Sequence, residues 1–351
     1  VKAPGLVAPD FTWETVTQMD FGFDASFLNN RLTGTFDWYR RNTKDMLVAG
    51  ATLPATLGAS VPKSNSADMK TIGWELSLGW NDRLENGFSY WVKGVLSDYQ
   101  ATITKYAGND AGFYSQSDGD GKYYVGQKIG EIWGYHSNGL FQSDDEAATI
   151  DQSELYAGKW GAGDVKYEDL GNDGKITKGE ETIYNPGDKS IIGNKTPRYQ
   201  FGITVGFDYK NFDFEMFWQG TGKRDYMLSG AQFWGFTSQW DVPYTPALDY
   251  WTETNTDAYF PRPGWQNGGN RVTSDRYLQS AAYGRLKNLT VGYTIPKNLT
   301  TKWGISRLRL YVTGENLLTI TPLNDAFDPE TLGGMTYPIN RKVAIGLNLT
   351  L

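Results

Sequence analysis

Six acidic side chains, Asp20, Asp24, Asp37, Glu75, Asp213 and Glu215, recur at short intervals that invite a reading as paired catalytic carboxylates. A glycosidase needs two such acids at a defined separation across a cleft, one kept protonated by an apolar setting. These acids instead follow a two-residue beat, and successive strand side chains point to opposite faces, so they mark one polar face of extended chain. None stands in apolar surroundings, and no catalysis is expected of them. His136 in WGYHSNGLF is the only histidine and cysteine is absent. That leaves no His-based triad unless the ring serves alone, no zinc spacing and no phosphate-binding glycine loop after a strand; His136 is expected to pack or to meet solvent.

A second cluster is DLGNDGKITKGEE, where Asp169, Asp173, Gly174 and Glu180 occupy positions one, five, six and twelve of a calcium-binding loop and Lys175 occupies position seven. Position three is Gly171 where Asp or Asn is required, and Asn172 comes one place late, so a ligand oxygen is lost unless the loop shifts. Calcium on Asp169, Asp173, Lys175 and Glu180 is one expectation. A turn-rich surface loop whose Asp and Asn bond their own backbone is the other. Phe233, Trp234, Phe236, Trp240, Trp251 and Trp265, with Tyr250, crowd one long segment. Exposed rings there would stack on sugars or anchor a partner, while packing of the segment on itself competes.

The elements that carry these groups are legible from periodicity. From Thr17 to Phe27, Met19, Phe21, Phe23, Ala25 and Phe27 share one face, and Asp20, Gly22, Asp24 and Ser26 the other. Eight further runs succeed it: Leu32 to Trp38, Ile72 to Trp80, Phe88 to Leu96, Tyr199 to Tyr209, Phe212 to Trp218, Leu289 to Ile295, Leu308 to Val312 and Val343 to Leu351. Runs of roughly ten residues match tilted strands crossing hydrocarbon, and Trp and Tyr near their ends match interfacial anchors. With 13 Trp, 22 Tyr and 17 Phe in 351 residues, aromatic content is high for so polar a chain, as in barrels with aromatic girdles. No run of about 18 apolar residues offers a spanning helix. A net charge of −7 argues against a nucleic-acid role, and the missing cysteine says little in a chain of this size. Val1 is preceded by no charged or apolar leader, so any export signal lies outside this segment. Ser143 is placed to cap a short helix over Asp144 to Ile150.

Short and long connections alternate strictly. Leu28 to Arg31, Asp82 to Gly87, Lys210-Asn211 and Pro296 to Ser306 are short, whereas about 42–70, 101–197, 222–281 and 317–338 are long. Transmembrane barrels place short turns in the periplasm and long loops outside, and a soluble sandwich has no reason to sort connections by parity. The expected fold is therefore all-β, a transmembrane antiparallel barrel wall of about nine strands. An odd number of strands would leave bare edges in lipid at several kcal/mol per unsatisfied group, so strands outside this chain are expected to close it.

The segments NNRLTGTFDWYRRNTKDML at Asn29 to Leu47 and VGQKIGEIWGYHSNGLFQSDDEA at Val125 to Ala147 resemble SusC/RagA-type TonB-dependent outer-membrane transporters. So do Ile191 to Asp225, RLKNLTVGYTIP at Arg285 to Pro296 and RLRLYVTGENLLTIT at Arg307 to Thr321. FDPE at Phe327 to Glu330 and the closing YPINRKVAIGLNLTL are similar to that family's last loop and strand, although the aromatic that ends many outer-membrane proteins is Leu351 here. The resemblance implies a 22-stranded barrel of which residues 1–351 form the C-terminal portion, strands fourteen to twenty-two. The plug, the TonB-contacting segment and the earlier strands would then lie outside this chain.

The resemblance also implies a non-enzymatic importer in the bacterial outer membrane, moving oligosaccharides or oligopeptides with energy from the TonB complex. Its implied partners are a SusD-like lipoprotein lid, the remaining plug and barrel, and outer-membrane lipid; no cofactor is required, and calcium in the extracellular loop is the one ion that the acidic motif allows. A passive porin and an outer-membrane barrel enzyme are the alternatives.

Overall fold

The computed structural model describes residues 6–8, 11–49, 62–107, 109, 111–113, 123–332 and 337–351. In chain order the strands are β1 (Thr15–Phe27), β2 (Leu32–Ala49), β3 (Lys63–Arg83), β4 (Ser89–Tyr106), β5 (Glu131–Tyr135), β6 (Ser137–Leu140), β7 (Val165–Tyr167), β8 (Lys189–Asn194), β9 (Arg198–Tyr209), β10 (Phe212–Lys223), β11 (Asp225–Met227), β12 (Leu278–Ser280), β13 (Tyr283–Thr294), β14 (Arg307–Ile320) and β15 (Lys342–Thr350). Among the described residues no helix is long and apolar enough to cross a membrane, which says nothing of strands.

Each of the nine alternating runs becomes one strand of a single antiparallel sheet ordered β1-β2-β3-β4-β9-β10-β13-β14-β15. Its register joins apolar positions across all nine strands. Phe27 lies opposite Leu32, then Trp80, Val92, Val205, Met216, Leu289, Gly314 and Val343 extend one continuous row. A one-residue slip at any pairing would send the next strand's apolar set to the other face, so the row fixes a single greasy side. Among the described residues nothing covers that side: Phe21 is 66% exposed, and Leu78, Ile203, Val312 and Ile345 are exposed too. Among the described residues β1 and β15 each pair on one edge alone, as an unclosed wall requires.

Several strands are longer than a span needs. β3 has 21 residues and β2 and β4 have 18. At about 3.3 Å per residue these rise well past an apolar band roughly 25 Å tall. Much of the connection expected over 42–70 is therefore paired strand, running to Ala49 and resuming at Lys63. The polar stretch from Lys63 to Asp68 hides this extension, since above the bilayer both faces of a strand tolerate polar residues. At the other end the turns are tight. Leu28, Asn29 and Asn30 all adopt left-handed φ values of 53°, 57° and 66°, a conformation that asparagine tolerates and leucine rarely adopts.

The larger buried core lies in the connections, and a smaller one, Ala67, Ile103 and Tyr106, sits on the extended ends of β3 and β4. The described parts of segments 107–197, 224–282 and 321–341 fold over one another, and Tyr135, Val165 and Tyr167 from the first pack with Leu228, Phe233 and Tyr277 from the second and Leu323 and Phe327 from the third. Three two-stranded ladders brace this body, β5 with β8, β6 with β7 and β11 with β12. The expected helix is present but shorter, Asp144–Ala147, with Ser143 Oγ accepting from the Glu146 amide at 3.1 Å as its cap.

Candidate functional site

The loop body and the polar face below it hold every group singled out from the sequence, and the structure separates those groups sharply. Phe233 is fully buried and meets Trp234, Phe260, Tyr277 and Phe327 edge-on, an arrangement that suits the ring quadrupoles. Trp251 is buried beside Gly163, where a Cβ would stand 2.5 Å from the indole at a φ of +83° that only glycine adopts freely. Phe233, Trp234 and Trp251 are thus core residues and not surface stacking platforms, a correction forced by the need of a long loop to bury its own apolar area. Phe236 is half-buried, edge-on to Tyr250. Trp240, 83% exposed, and Trp265 remain at the surface, and Val242, Tyr244 and Leu248 near Trp240 are exposed with it.

The DLGNDGKITKGEE loop closes on hydrogen bonds. The Gly174 amide donates to Asp169 Oδ2 at 2.7 Å and the Lys175 amide to Asp173 Oδ1 at 2.9 Å. Glu180 is exposed, and its amide donates to the Asn185 carbonyl at 3.0 Å. Among the described residues no three acidic or histidine side chains gather closely enough to hold an ion. Asp169 Oδ1 is buried without a partner, one oxygen and not a cage. The group that organises the loop is Asp188, outside the motif and 2% exposed, which accepts from the amides of Leu170 (2.8 Å), Gly171 (3.1 Å) and Thr177 (2.6 Å). Calcium is expected to leave the melting temperature of the intact protein unchanged. Asp188→Ala is expected to cost about 1 kcal/mol by removing the acceptor of three partly buried amides; a calcium-dependent rise that Asp173→Ala removes would support the metal reading.

His136 neither packs nor meets solvent alone. Its Nδ1 lies 2.7 Å from Asp275 Oδ2 and its Nε2 2.6 Å from Ser190 Oγ, and Asp275 Oδ1 accepts from the Ser137 amide at 3.0 Å. This is the hydrogen-bond order of an acyl-transfer relay. The partners lie 54 and 139 residues away in sequence, which is why reading the single histidine suggested no triad. Ser190 sits inside β8 opposite Gly134, not on a strand-to-helix elbow that would offer free amides for an oxyanion. The cavities near Asp213, Trp133 and Ser77 are lined by none of Ser190, His136 and Asp275. The three side chains therefore tie the residue between β5 and β6 to β8 and to the 224–282 segment, and a fluorophosphonate probe is expected to leave Ser190 unlabelled in the intact protein. Stoichiometric labelling would make the relay a working nucleophile.

On the polar face the acids are paired or spaced by register. Asp213 forms a two-pronged ion pair with Arg309, and Asp24 accepts from Thr35 Oγ1 at 2.7 Å. Asp37 lies opposite Glu75. Toward the short turns a bay of about 640 Å³ is lined by Asp208, Asp213, Glu215, Lys210, Arg307 and Arg309 among others, a charge-balanced surface suited to contact with polypeptide. At the opposite end the FDPE segment folds onto the wall. Arg285 on β13 donates to Thr319 Oγ1 at 2.8 Å and Asp328 Oδ2 at 2.6 Å and pairs with Glu330 at 3.1 Å, while Lys287 holds Glu330 from the other side at 3.1 Å. This five-residue junction is not legible in the sequence, although its two acids lie in a segment already singled out.

A family model described as TonB dependent receptor-like, beta-barrel, matches residues 3–317. TonB-dependent receptor P3 of Formosa agariphila is 30% identical over 98% of the chain and 35% of its own length. TonB-dependent receptor SusC of Bacteroides thetaiotaomicron is 26% identical over 99% of the chain and 33% of its own. The chain thus spans about a third of the length of these curated relatives. Among solved structures, that of the RagAB peptide transporter superposes with a TM-score of 0.74 at 22% identity, over 97% of this chain and 36% of that one.

Proposed function

We propose, because this chain belongs to the TonB-dependent receptor-like β-barrel family, that within the complete protein it forms the C-terminal wall of an energised importer of oligosaccharides or oligopeptides. The chain is an outer-membrane β-barrel segment and, like its receptor relatives, not an enzyme. The observation that carries the import reading is the division of labour along each strand pair. An unbroken apolar row faces outward, a polar face looks inward, and the long connections merge into one body over a single end. Such a body restricts entry, whereas a passive pore needs an open mouth.

In this reading the bay near Asp213 and Arg309 receives the plug, supplied with the earlier strands and the TonB-contacting segment by parts of the protein beyond this chain. The exposed patch around Trp240, Val242 and Leu248 contacts a SusD-like lipoprotein lid; aromatic anchors are enriched at such interfaces. The solved relative is described as a peptide transporter, which supports peptides as cargo, and oligosaccharides stay open beside them.

The test is uptake by cells carrying the intact protein, with labelled oligosaccharides and peptides offered in parallel while the proton-motive force is present or collapsed. Energised uptake that stops on collapse is the expected result. Uptake that persists would indicate a porin. Purification from native membranes without any lipoprotein partner would remove the lid from the proposal.

A further inference from the structure

The outward face of the wall changes character at its upper end, the end that carries the long connections. Trp38 lies between Phe21 and Trp74 across the ladder, as an aromatic belt at a membrane boundary would. One outward step beyond, about 7 Å along a strand, the apolar residues give way to cations. Arg40 stands between Met19 and Ile72. Asn42 lies opposite Lys70, Lys70 opposite Thr102, and Thr102 opposite Lys128. Lys44, two residues past Asn42 on β2, completes the group. Residues directly opposite in an antiparallel ladder share a face, and diagonal neighbours stay within reach of long side chains. Arg40, Lys44, Lys70 and Lys128 therefore cluster on the outward face around the neutral Asn42 and Thr102. Three of them are exposed and Lys70 is half-buried.

Among the described residues none of these four cations forms an ion pair, and Arg40 Nε donates to Asn42 Oδ1 at 3.3 Å. The acids nearest in register are engaged elsewhere. Asp98, opposite Trp74, is held by the fork of Arg198, and Asp68, opposite Lys105, accepts from the Asp45 amide at 2.9 Å. At the lower end of β2, by contrast, Arg31 is matched by Asp82 at 3.1 Å. A basic patch left unneutralised in a chain of net charge −7 needs a counter-charge, and basic clusters beside a bilayer take it from anionic headgroups. In outer-membrane barrels the side bearing the long loops faces out of the cell, where the leaflet is built from glycolipid with phosphorylated sugar headgroups. We infer that the upper rim of β2, β3 and β4 binds a phosphorylated glycolipid of the outer leaflet, its phosphates held by Arg40, Lys70 and Lys128, with Lys44 at the margin. The acyl chains of that lipid lie against the apolar face below Trp38 and Trp74. Such binding follows from the placement of the wall in the outer membrane and not from import.

The intact protein, purified in detergent and freed of native lipid, is titrated with diphosphoryl lipid A, with lipid A stripped of both phosphates and with phosphatidylglycerol, and bound lipid is counted by native mass spectrometry. Diphosphoryl lipid A is expected to bind about tenfold more tightly than either of the others, and more weakly as salt rises. Lys70→Gln combined with Lys128→Gln is expected to weaken that binding about tenfold at an unchanged melting temperature. Lys128→Gln alone, at an exposed side chain, should weaken it about threefold. Lys302→Gln, exposed beside the short turns, should leave it unaltered. Equal retention of the dephosphorylated form would mean that acyl contacts hold the lipid, and equal retention of phosphatidylglycerol that any anionic headgroup suffices. Either result overturns the inference, as does binding undiminished in both the single and the double variant. The readout is bound lipid and not uptake, so a failed importer assignment leaves this result standing.

Discussion

Arg285→Ala lowers the unfolding free energy of the intact protein by about 3–5 kcal/mol in urea, the cost expected when a buried ion pair loses one member. The Arg285 side chain is 3% exposed on the polar face of β13, and its fork reaches Asp328 and Glu330 in the returning loop as well as Thr319 on the neighbouring strand. Lys287 still neutralises Glu330 after the change, so the stranded charge is Asp328. Arg285→Lys retains the charge without the fork and should recover only part of the loss. Hydrogen exchange through residues 321–332 should rise in step with the destabilisation. A loss below about 1 kcal/mol, or unaltered exchange there, would mean that the loop is held by its apolar contacts at Leu323 and Phe327 instead.

Leu78→Arg is expected to cost about 2–4 kcal/mol in folding of the intact protein into lipid vesicles, as for cations near the midplane of a barrel wall. Leu78 lies opposite Gly34 on one side and Gly94 on the other. No side chain directly across from it is therefore long enough to accept a guanidinium's hydrogen bonds. Ser77, one residue earlier, lines a hollow of about 300 Å³ on the opposite face with Asp37 and Glu75, so Ser77→Arg finds carboxylates and water and should be tolerated. Equal cost for the two variants would contradict the assignment of the faces.

The contrast between those two positions explains what periodicity could reveal. All nine wall strands were legible because hydrocarbon on one side and water on the other impose alternation on each strand separately, with no knowledge of its partner. Strands β5, β6, β7, β8, β11 and β12 were not: each has three to six residues, and what stabilises them is packing against distant segments. The same limit hid the partners of His136 and the part played by Asp188. It also leaves the aromatic cluster of the 222–281 connection divided between burial, as at Phe233, and exposure, as at Trp240. Motif spacing leaves the acidic loop open for a related reason. Asp169 and Asp173 sit at calcium-loop positions, and one oxygen of each accepts from a nearby amide, a use that spacing alone does not distinguish from metal ligation.

The buried centre of the loop body draws its members from three separate connections, each of which leaves the wall and returns to it. A recombinant that borrows one of these connections from a homologue would inherit a third of a jigsaw whose other pieces were cut to a different outline. Exchange of all three together keeps the pieces matched and alters the wall only at its upper rim. Diversification of the outer surface is thereby channelled toward wholesale replacement of the crown or toward single changes at exposed positions such as Trp240, while the lipid-facing staves beneath it drift under a separate rule.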